Sequence, residues 1–274
     1  MGYNSSQSVV SSLTIFPLKG ALGCPVESLD LDDRGPAGDR RWMLIDDSGR
    51  FVSLREVARL CFVSAELTAD GLRLRVPRQE PLEVPQPDAN GAPRTTARVW
   101  SGPCEVIEAD PLASGWLSEF LGLSCRVVFQ PDDASGPDAD RYGPFGDSPR
   151  RIALTDGAPM LLTTIASLTD LNARLSAPVP MYRFRPNIVV EGTTPWTEET
   201  WKGFEVGAVG FDAVKPCPRC VATTIDYATG TRTTEPLRTL ATFRKSGQDV
   251  NFGMNVAHRH LGSIRVGDTV RLLE

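Results

Sequence analysis

Lys215-Pro216-Cys217-Pro218-Arg219-Cys220 contains the most closely spaced pair of cysteines in this chain of 274 residues. The four other cysteines, at positions 24, 61, 104 and 125, lie among apolar neighbours, which predicts buried, reduced thiols in a cytosolic protein. A Cys-x-x-Cys pair can serve a zinc site, a redox-active dithiol or a metal cofactor that takes one thiolate ligand. The residues around the pair distinguish these uses.

Zinc and a redox dithiol are both disfavoured. A structural zinc site needs four ligands, and His258 and His260 would be an unusual complement to one cysteine pair. A thioredoxin-type dithiol begins a helix, whereas the β-branched stretch 221–226 predicts a strand that turns at 227–230. The pair is therefore best interpreted as a source of a metal thiolate, and the residues alone leave open which cysteine is the ligand.

Basic residues with Gly, Pro or Asn nearby point to an anionic ligand. Arg219 lies beside the thiols and favours the thiolate form, which binds soft metals. Guanidinium groups held in place form paired hydrogen bonds with phosphate, although an exposed side chain or surface ion pair is the commoner role of any one basic residue. The segments concerned are Pro17-Leu18-Lys19-Gly20, Gly38-Asp39-Arg40-Arg41-Trp42 and Phe184-Arg185-Pro186-Asn187.

The composition, 41% hydrophobic and 23% charged, is typical of a globular protein. A formal net charge of −5 argues against nucleic acid or an anionic membrane as a general partner. No apolar run approaches the roughly 20 residues that span a bilayer, and the first residues lack the pattern of a secretory signal. We therefore expect a cytoplasmic protein without a nucleic-acid or membrane partner.

Short apolar segments separated by frequent turns predict a mainly β fold with a few helices (α+β), with the rhythm of a barrel or sandwich. One helix is predicted after Asp110, with Pro111 at its first position, and a second over residues 164–175. The polar stretch 130–151 predicts a linker or long surface loop. Strands are predicted over residues 12–16, 42–45, 60–67, 72–76, 97–100, 125–129, 204–206 and 210–214, and a closing hairpin over residues 263–272.

These segments also carry a family resemblance. The chain resembles MOSC-domain molybdenum enzymes of the mitochondrial amidoxime-reducing component type and their bacterial relatives. The resemblance implies an N-terminal MOSC-type β-barrel domain (10–129), the linker or loop (130–151) and a β-barrel-like MOSC domain (152–274), with a molybdopterin-type cofactor between the packed domains. The matching segments are Phe16-Pro17-Leu18-Lys19-Gly20, Asp39-Arg40-Arg41-Trp42, Ala166-Ser167-Leu168-Thr169-Asp170-Leu171-Asn172, Arg183-Phe184-Arg185-Pro186-Asn187-Ile188-Val189-Val190, Cys217-Pro-Arg-Cys220 through Thr223-Thr224-Ile225-Asp226, and Ile264-Arg265-Val266-Gly267-Asp268.

By motif, the resemblance assigns Cys220 as the molybdenum ligand. Cys220 and Asp156 are the candidate catalytic residues. Asp156 and His258 are candidate proton donors, although a buried turn-capping Asp and a surface His are the more usual roles. Cys217 is a candidate second redox thiol, for which a buried structural role is more usual. The positions that correspond to cofactor contacts are Lys19, Gly20, Arg40, Asp156, Arg185, Asn187, Pro218, Arg219 and Asn255. Relatives often have serine at the positions of Gly20 and Pro218, so hydroxyl contacts are lost there.

The resemblance implies a molybdenum-cofactor-dependent oxidoreductase that reduces small N-hydroxylated compounds (amidoximes, hydroxylamines and N-hydroxylated bases) by two electrons. The cofactor would be Mo-molybdopterin, with or without a nucleotide; pyridoxal phosphate is not expected. No cysteine follows Cys220, so we expect no C-terminal iron–sulfur domain, and a separate ferredoxin, flavin reductase or cytochrome would donate electrons to a monomer. The alternatives are a cofactor carrier or sulfur-transfer protein without N-reductive turnover, and a non-catalytic binding module.

Overall fold

The computed structural model describes residues 7–100, 102–134 and 151–273. The protein is mostly β, with 40% strand, 17% helix and three helices, which confirms the predicted fold class. The strands, numbered in chain order, are β1 (Val9–Ile15), β2 (Cys24–Val26), β3 (Ser28–Asp32), β4 (Gly35–Pro36), β5 (Trp42–Ile45), β6 (Ser64–Thr68), β7 (Gly71–Arg75), β8 (Leu82–Pro85), β9 (Arg94–Val99), β10 (Gly102–Glu108), β11 (Arg126–Phe129), β12 (Met160–Thr164), β13 (Ile188–Glu191), β14 (Gly203–Val206), β15 (Val209–Pro218), β16 (Lys245–Ser246), β17 (Asp249–His258), β18 (Gly262–Arg265) and β19 (Val270–Leu273).

The sheets tie the two ends of the chain together. The largest has nine strands in the order β19-β14-β15-β17-β12-β13-β1-β2, with β16 paired to β17. Strand β1 runs antiparallel to β13, with Leu13 opposite Ile188. A three-stranded sheet has the order β18-β3-β4, whereas β5-β11-β10-β9 and β6-β7-β8 are built from the N-terminal half alone. Strands near the N-terminus thus complete sheets of the C-terminal half.

Both predicted helices are present. Helix α1 (Pro111–Leu121) begins after Asp110, whose carboxylate accepts a 2.8 Å hydrogen bond from the Leu112 amide, and ends at Gly122 with a φ of 72°. Helix α2 (Ile165–Arg174) is capped by Thr164, and a short helix α3 (Leu237–Ala241) was not predicted. No helix in the described part of the chain has the length and apolar character of a membrane span.

Two predicted strands contain 3-10 helices instead. Ala58–Phe62 is helical and β6 begins only at Ser64. Val221–Thr224 is also a 3-10 helix, so the strand expected after Cys220 is wrong. The Thr223 and Thr224 hydroxyls donate to backbone carbonyls three residues earlier, at 2.9 and 2.7 Å, which stabilises the turn over an extended chain.

The closing hairpin is also wrong. Strands β18 and β19 do form, but β18 pairs with β3 and β19 pairs with β14. The turn at Val266-Gly267-Asp268 therefore joins two sheets. Of the predicted linker 130–151, residues 135–150 lie outside the described residues.

The segment that follows β1 passes from one apolar core to another. Leu13 and Ile15 belong to a core that contains Ile188 and other residues of the nine-stranded sheet. Leu18 and Ala21 belong to a second core, built mainly from residues 42–129. Residues 16–20 therefore lie at the boundary between the cores, and this places their side chains near both halves of the protein.

The start of β7 provides a test of this packing. An added Cβ at Gly71 (φ 155°) would lie 2.1 Å from the Val84 carbonyl oxygen, whereas at Gly102 (φ 136°) it would meet nothing within 4 Å. We expect Gly102→Ala to lower the free energy of unfolding by about 1 kcal/mol, from backbone strain alone. Gly71→Ala should lower it by about 3 kcal/mol or more, because overpacking is added. Urea denaturation of both variants measures the difference, and equal losses would contradict the β7–β8 register.

Candidate active site

A cavity of about 210 Å³ is lined by residues from both halves of the chain. Every residue that the sequence assigned to metal or cofactor binding lines it, so the structure brings together positions that are far apart in the sequence. They are Lys19, Gly20, Arg40, Asp156, Arg185, Asn187, Pro218, Arg219, Cys220 and Asn255.

The cavity is strongly cationic. Among the described residues that line it, Asp156 alone is acidic. A concave surface with such an excess of one charge attracts ligands of the opposite charge. The basic residues of the lining are Lys19, Arg40, Arg55, Arg183, Arg185 and Arg219.

Lys19 is buried, with 7% of its surface exposed. Its Nζ donates to the Leu154 carbonyl at 2.8 Å and to the Asp156 carboxylate, and it lies 4.8 Å from the centre of the Phe51 ring. Burial lowers the pKa of Lys19, and the neighbouring Asp156 carboxylate only partly offsets this. Lys19 thus lies in the wall of the cavity as a partly compensated cation.

Asp156 is about half exposed, and its second oxygen is 3.8 Å from the Arg55 guanidinium. Burial acts to raise the pKa of Asp156, but the Lys19 and Arg55 cations outweigh it and hold the pKa below its usual value. The carboxylate is therefore ionised at neutral pH, which suits an ion-pair partner better than a proton donor.

Arg40 and Arg185 meet over one aromatic ring. Their guanidinium carbons lie 4.4 and 4.3 Å from the centre of the Phe16 ring, and Arg185 also donates to the Ala21 carbonyl. Burial lowers the pKa of Arg185, and the positive charge of Arg40 adds to this effect. Both residues have left-handed backbones, with φ of 47° and 57°, a conformation that non-glycine residues rarely adopt and that often accompanies functional sites.

Asn187 is fully buried, and both ends of its side-chain amide form hydrogen bonds with other protein groups. Its Oδ1 accepts from Arg40 Nη1 at 2.9 Å and from the Leu161 amide at 3.3 Å. Its Nδ2 donates to the Thr14 carbonyl at 3.1 Å and to Asp39 Oδ1 at 3.2 Å. Asn187 thus lines the cavity but holds other residues in place.

The cysteine pair lies at the end of β15, and both thiols are free and half-buried. Cys217 is therefore not the buried structural residue that is usual for such a position. Arg219 Nη1 donates to Cys217 Sγ at 3.0 Å, and Arg219 Nη2 donates to the Phe184 carbonyl at 2.6 Å.

A strand was expected after Cys220 and counted against a redox dithiol. Val221–Thr224 is helical, so this reason against a dithiol no longer holds. The described residues contain no group of three or more His, Cys, Asp or Glu that could hold a metal ion.

His258 is not a surface residue. It is completely buried in β17, with Nε2 2.7 Å from the Asp32 carbonyl oxygen. It is not among the residues that line the cavity, so it does not supply protons there directly.

Several members of the site were not assigned from the sequence. Arg55 had no local signal, since its segment shows no motif. Arg183 belongs to the Arg-Phe-Arg-Pro-Asn segment, but no role in cofactor binding was assigned to it from the sequence. It lines the cavity, and its Nη2 donates to Asp226 at 2.8 Å. Asp39, next to Arg40, is 1% exposed and contacts Asn187 and Arg40. Such contacts depend on packing between distant segments, which no local pattern reports.

The chain is similar to known proteins over both of its halves. The family model for the "MOSC N-terminal beta barrel domain" matches residues 7–124, and that for the "MOSC domain" matches residues 149–271. The chain is 30% identical to mitochondrial amidoxime reducing component 2 of Homo sapiens, over 95% of this chain and 82% of the relative. The chain belongs to the MOSC-domain family of the amidoxime-reducing components.

Other members of the family are similar over the same extent. Mitochondrial amidoxime reducing component 2 of Rattus norvegicus is 32% identical over 95% of this chain and 82% of its own length. Mitochondrial amidoxime-reducing component 1 of Mus musculus is 32% identical over 96% of this chain and 82% of its own length. The likeness thus covers both matched domains and the cavity that they line.

The exposure of the thiols predicts their reactivity. Cys217 and Cys220 open into the cavity, whereas Cys61 and Cys104 are buried and burial raises the pKa of each to about 11. We expect iodoacetamide at pH 7.5 to label the cavity pair in native, cofactor-free protein and to leave the buried pair unlabelled until the chain is unfolded. Mass spectrometry of peptides after timed labelling measures this; rapid labelling of Cys104 in native protein would contradict the fold.

Proposed function

We propose that this chain is a molybdenum-cofactor-dependent oxidoreductase that reduces N-hydroxylated compounds by two electrons. The observation that carries the proposal is the meeting of a half-buried thiol, Cys220, with a cluster of buried and half-buried cations in one cavity. The named activity of the relatives, amidoxime reduction, supports the reaction class.

The donor set of the cavity fits such a cofactor. A thiolate is a suitable ligand for a soft or intermediate metal, and the guanidinium and ammonium groups suit a phosphate. Arg219 Nε and Thr155 Oγ1 are buried without a hydrogen-bond partner, although both residues line the cavity. Unpartnered buried donors are costly, so they favour a bound group with acceptor atoms.

The residues divide into two roles. We assign Cys220 as the metal ligand, since the resemblance places it at that position. Lys19, Arg40 and Arg185 would hold the anionic end of the cofactor, because their charges are partly uncompensated and share one region of the cavity. The left-handed φ of Gly20, 88°, lets the backbone turn beside Lys19 without strain.

The proposed reaction consumes two electrons and two protons: the N–O bond of the substrate breaks, oxygen leaves as water, and the nitrogen is released as the amine or amidine. When bound, the molybdenum cofactor supplies the two-electron couple and an open coordination position. Asp156 would remain a carboxylate during the reaction because Lys19 and Arg55 hold its pKa low. It would bind a positively charged nitrogen group rather than protonate one.

We further propose that a separate ferredoxin, flavin reductase or cytochrome delivers the electrons. In residues 7–100, 102–134 and 151–273 no cluster of potential ligands suggests a second metal centre.

Cofactor content tests the ligand assignment. We expect protein from a cofactor-competent host to contain molybdenum and pterin, and Cys220→Ala to lose most of the molybdenum, because one metal–ligand bond is removed. Cys217→Ala, three residues away in the same cavity, is the matched control and should keep it. Elemental analysis with fluorescence of the oxidised pterin measures both. Wild-type protein without metal would contradict the proposal, and unchanged metal in Cys220→Ala would contradict the ligand assignment alone.

Turnover tests the reaction. With a chemical electron donor, we expect the cofactor-loaded protein to convert benzamidoxime to benzamidine, and Cys220→Ala to show no turnover. Chromatography of the product measures both. Full cofactor without turnover would favour the alternative role of a cofactor carrier or sulfur-transfer protein.

A further inference from the structure

Asp39 is a buried carboxylate that stands behind the cavity rather than in its lining. Only 1% of it is exposed. A carboxylate removed from water to this degree is costly unless it is paired and hydrogen-bonded. Its partners therefore indicate why a charge is kept at this position.

The carboxylate joins three separate segments. Oδ1 accepts from the Phe16 amide at 2.7 Å and from Asn187 Nδ2 at 3.2 Å. Oδ2 accepts from Arg40 Nη1. The end of β1, the turn before β5 and the start of β13 thus converge on one side chain.

Arg40 is held from two sides. Its Nη1 donates both to Asp39 and to Asn187 Oδ1, and Asn187 is itself oriented by Asp39. Its guanidinium also lies over the ring of Phe16, whose amide Asp39 binds. The Nη1 and ring contacts of Arg40 therefore involve Asp39 or a neighbour that Asp39 holds, and Arg40 Nη2 also donates to the Arg185 carbonyl at 3.5 Å.

We propose that Asp39 is a positioning residue that fixes Arg40 and Asn187 in the arrangement that binds an anionic ligand. The inference deepens the proposed function and rests on it, since the anion is the phosphate of the proposed cofactor. Asp39 does not contact the ligand itself. Its effect on binding passes through Arg40.

The experiment measures the binding of inorganic phosphate to full-length, cofactor-free protein by calorimetry, together with the thermal midpoint. We expect Asp39→Asn to raise the dissociation constant about tenfold, because the charged partner of Arg40 is removed. Asp39→Ser is the second variant, to be used if Asp39→Asn does not fold. The amide NH₂ of asparagine would face the N–H donors of Arg40 and Asn187, and the serine hydroxyl avoids this clash.

A double-mutant cycle separates positioning from a general loss of stability. If Asp39 acts through Arg40, Asp39→Asn should cause no further loss of affinity in an Arg40→Ala background. Glu198→Gln is the matched control, because Glu198 is a fully buried carboxylate that does not line the cavity. It should lower the thermal midpoint and leave the dissociation constant unchanged.

Two results would overturn the inference. Wild-type phosphate affinity in folded Asp39→Asn and Asp39→Ser, or a loss that is additive with that of Arg40→Ala, would show that Asp39 does not position Arg40. A wild-type protein that binds neither phosphate nor cofactor would overturn the proposed function, and the inference with it.

Discussion

The burial of positive charge at the junction of two apolar cores is the constraint on which the site depends. The antiparallel pairing of β1 with β13 places residues 16–20 beside residues 185–187, and Lys19, Arg40 and Arg185 converge there. Buried cations are costly in a medium of low dielectric constant. The protein offsets this with Asp39, with Asn187, with carbonyl oxygens and with aromatic rings, and it leaves the remaining positive charge facing the cavity.

The excess of positive charge in the cavity lining suits an anion. The side chains that face the cavity are held by hydrogen bonds to backbone atoms of other segments, such as Lys19 to Leu154 and Arg185 to Ala21. Little rearrangement is then needed on binding, which reduces its entropic cost. Any anion that binds only the folded state also stabilises the fold, so binding of the proposed cofactor would raise the stability of this protein.

The two cysteines of the pair have different hydrogen-bond partners, which their spacing in the sequence does not reveal. Arg219 bonds to Cys217, and through Nη2 to the Phe184 carbonyl, next to Arg185. Cys220 begins the 3-10 helix that follows and contributes its carbonyl to Thr223. Arg219 thus links Cys217 to the segment that contains Arg185, while Cys220 lines the cavity as the proposed metal ligand.

The sequence by itself determined the mainly β class, the capped helix after Asp110 and the segments of the site, because alternation, caps and motifs are properties of neighbouring residues. Only the tertiary structure decided that Val221–Thr224 is helical, that β18 and β19 belong to different sheets and that His258 is buried. Each of these depends on which distant surface the segment packs against. The same is true of Arg55 and Asp39: their roles come from contacts between segments far apart in the chain, and no local pattern encodes those contacts.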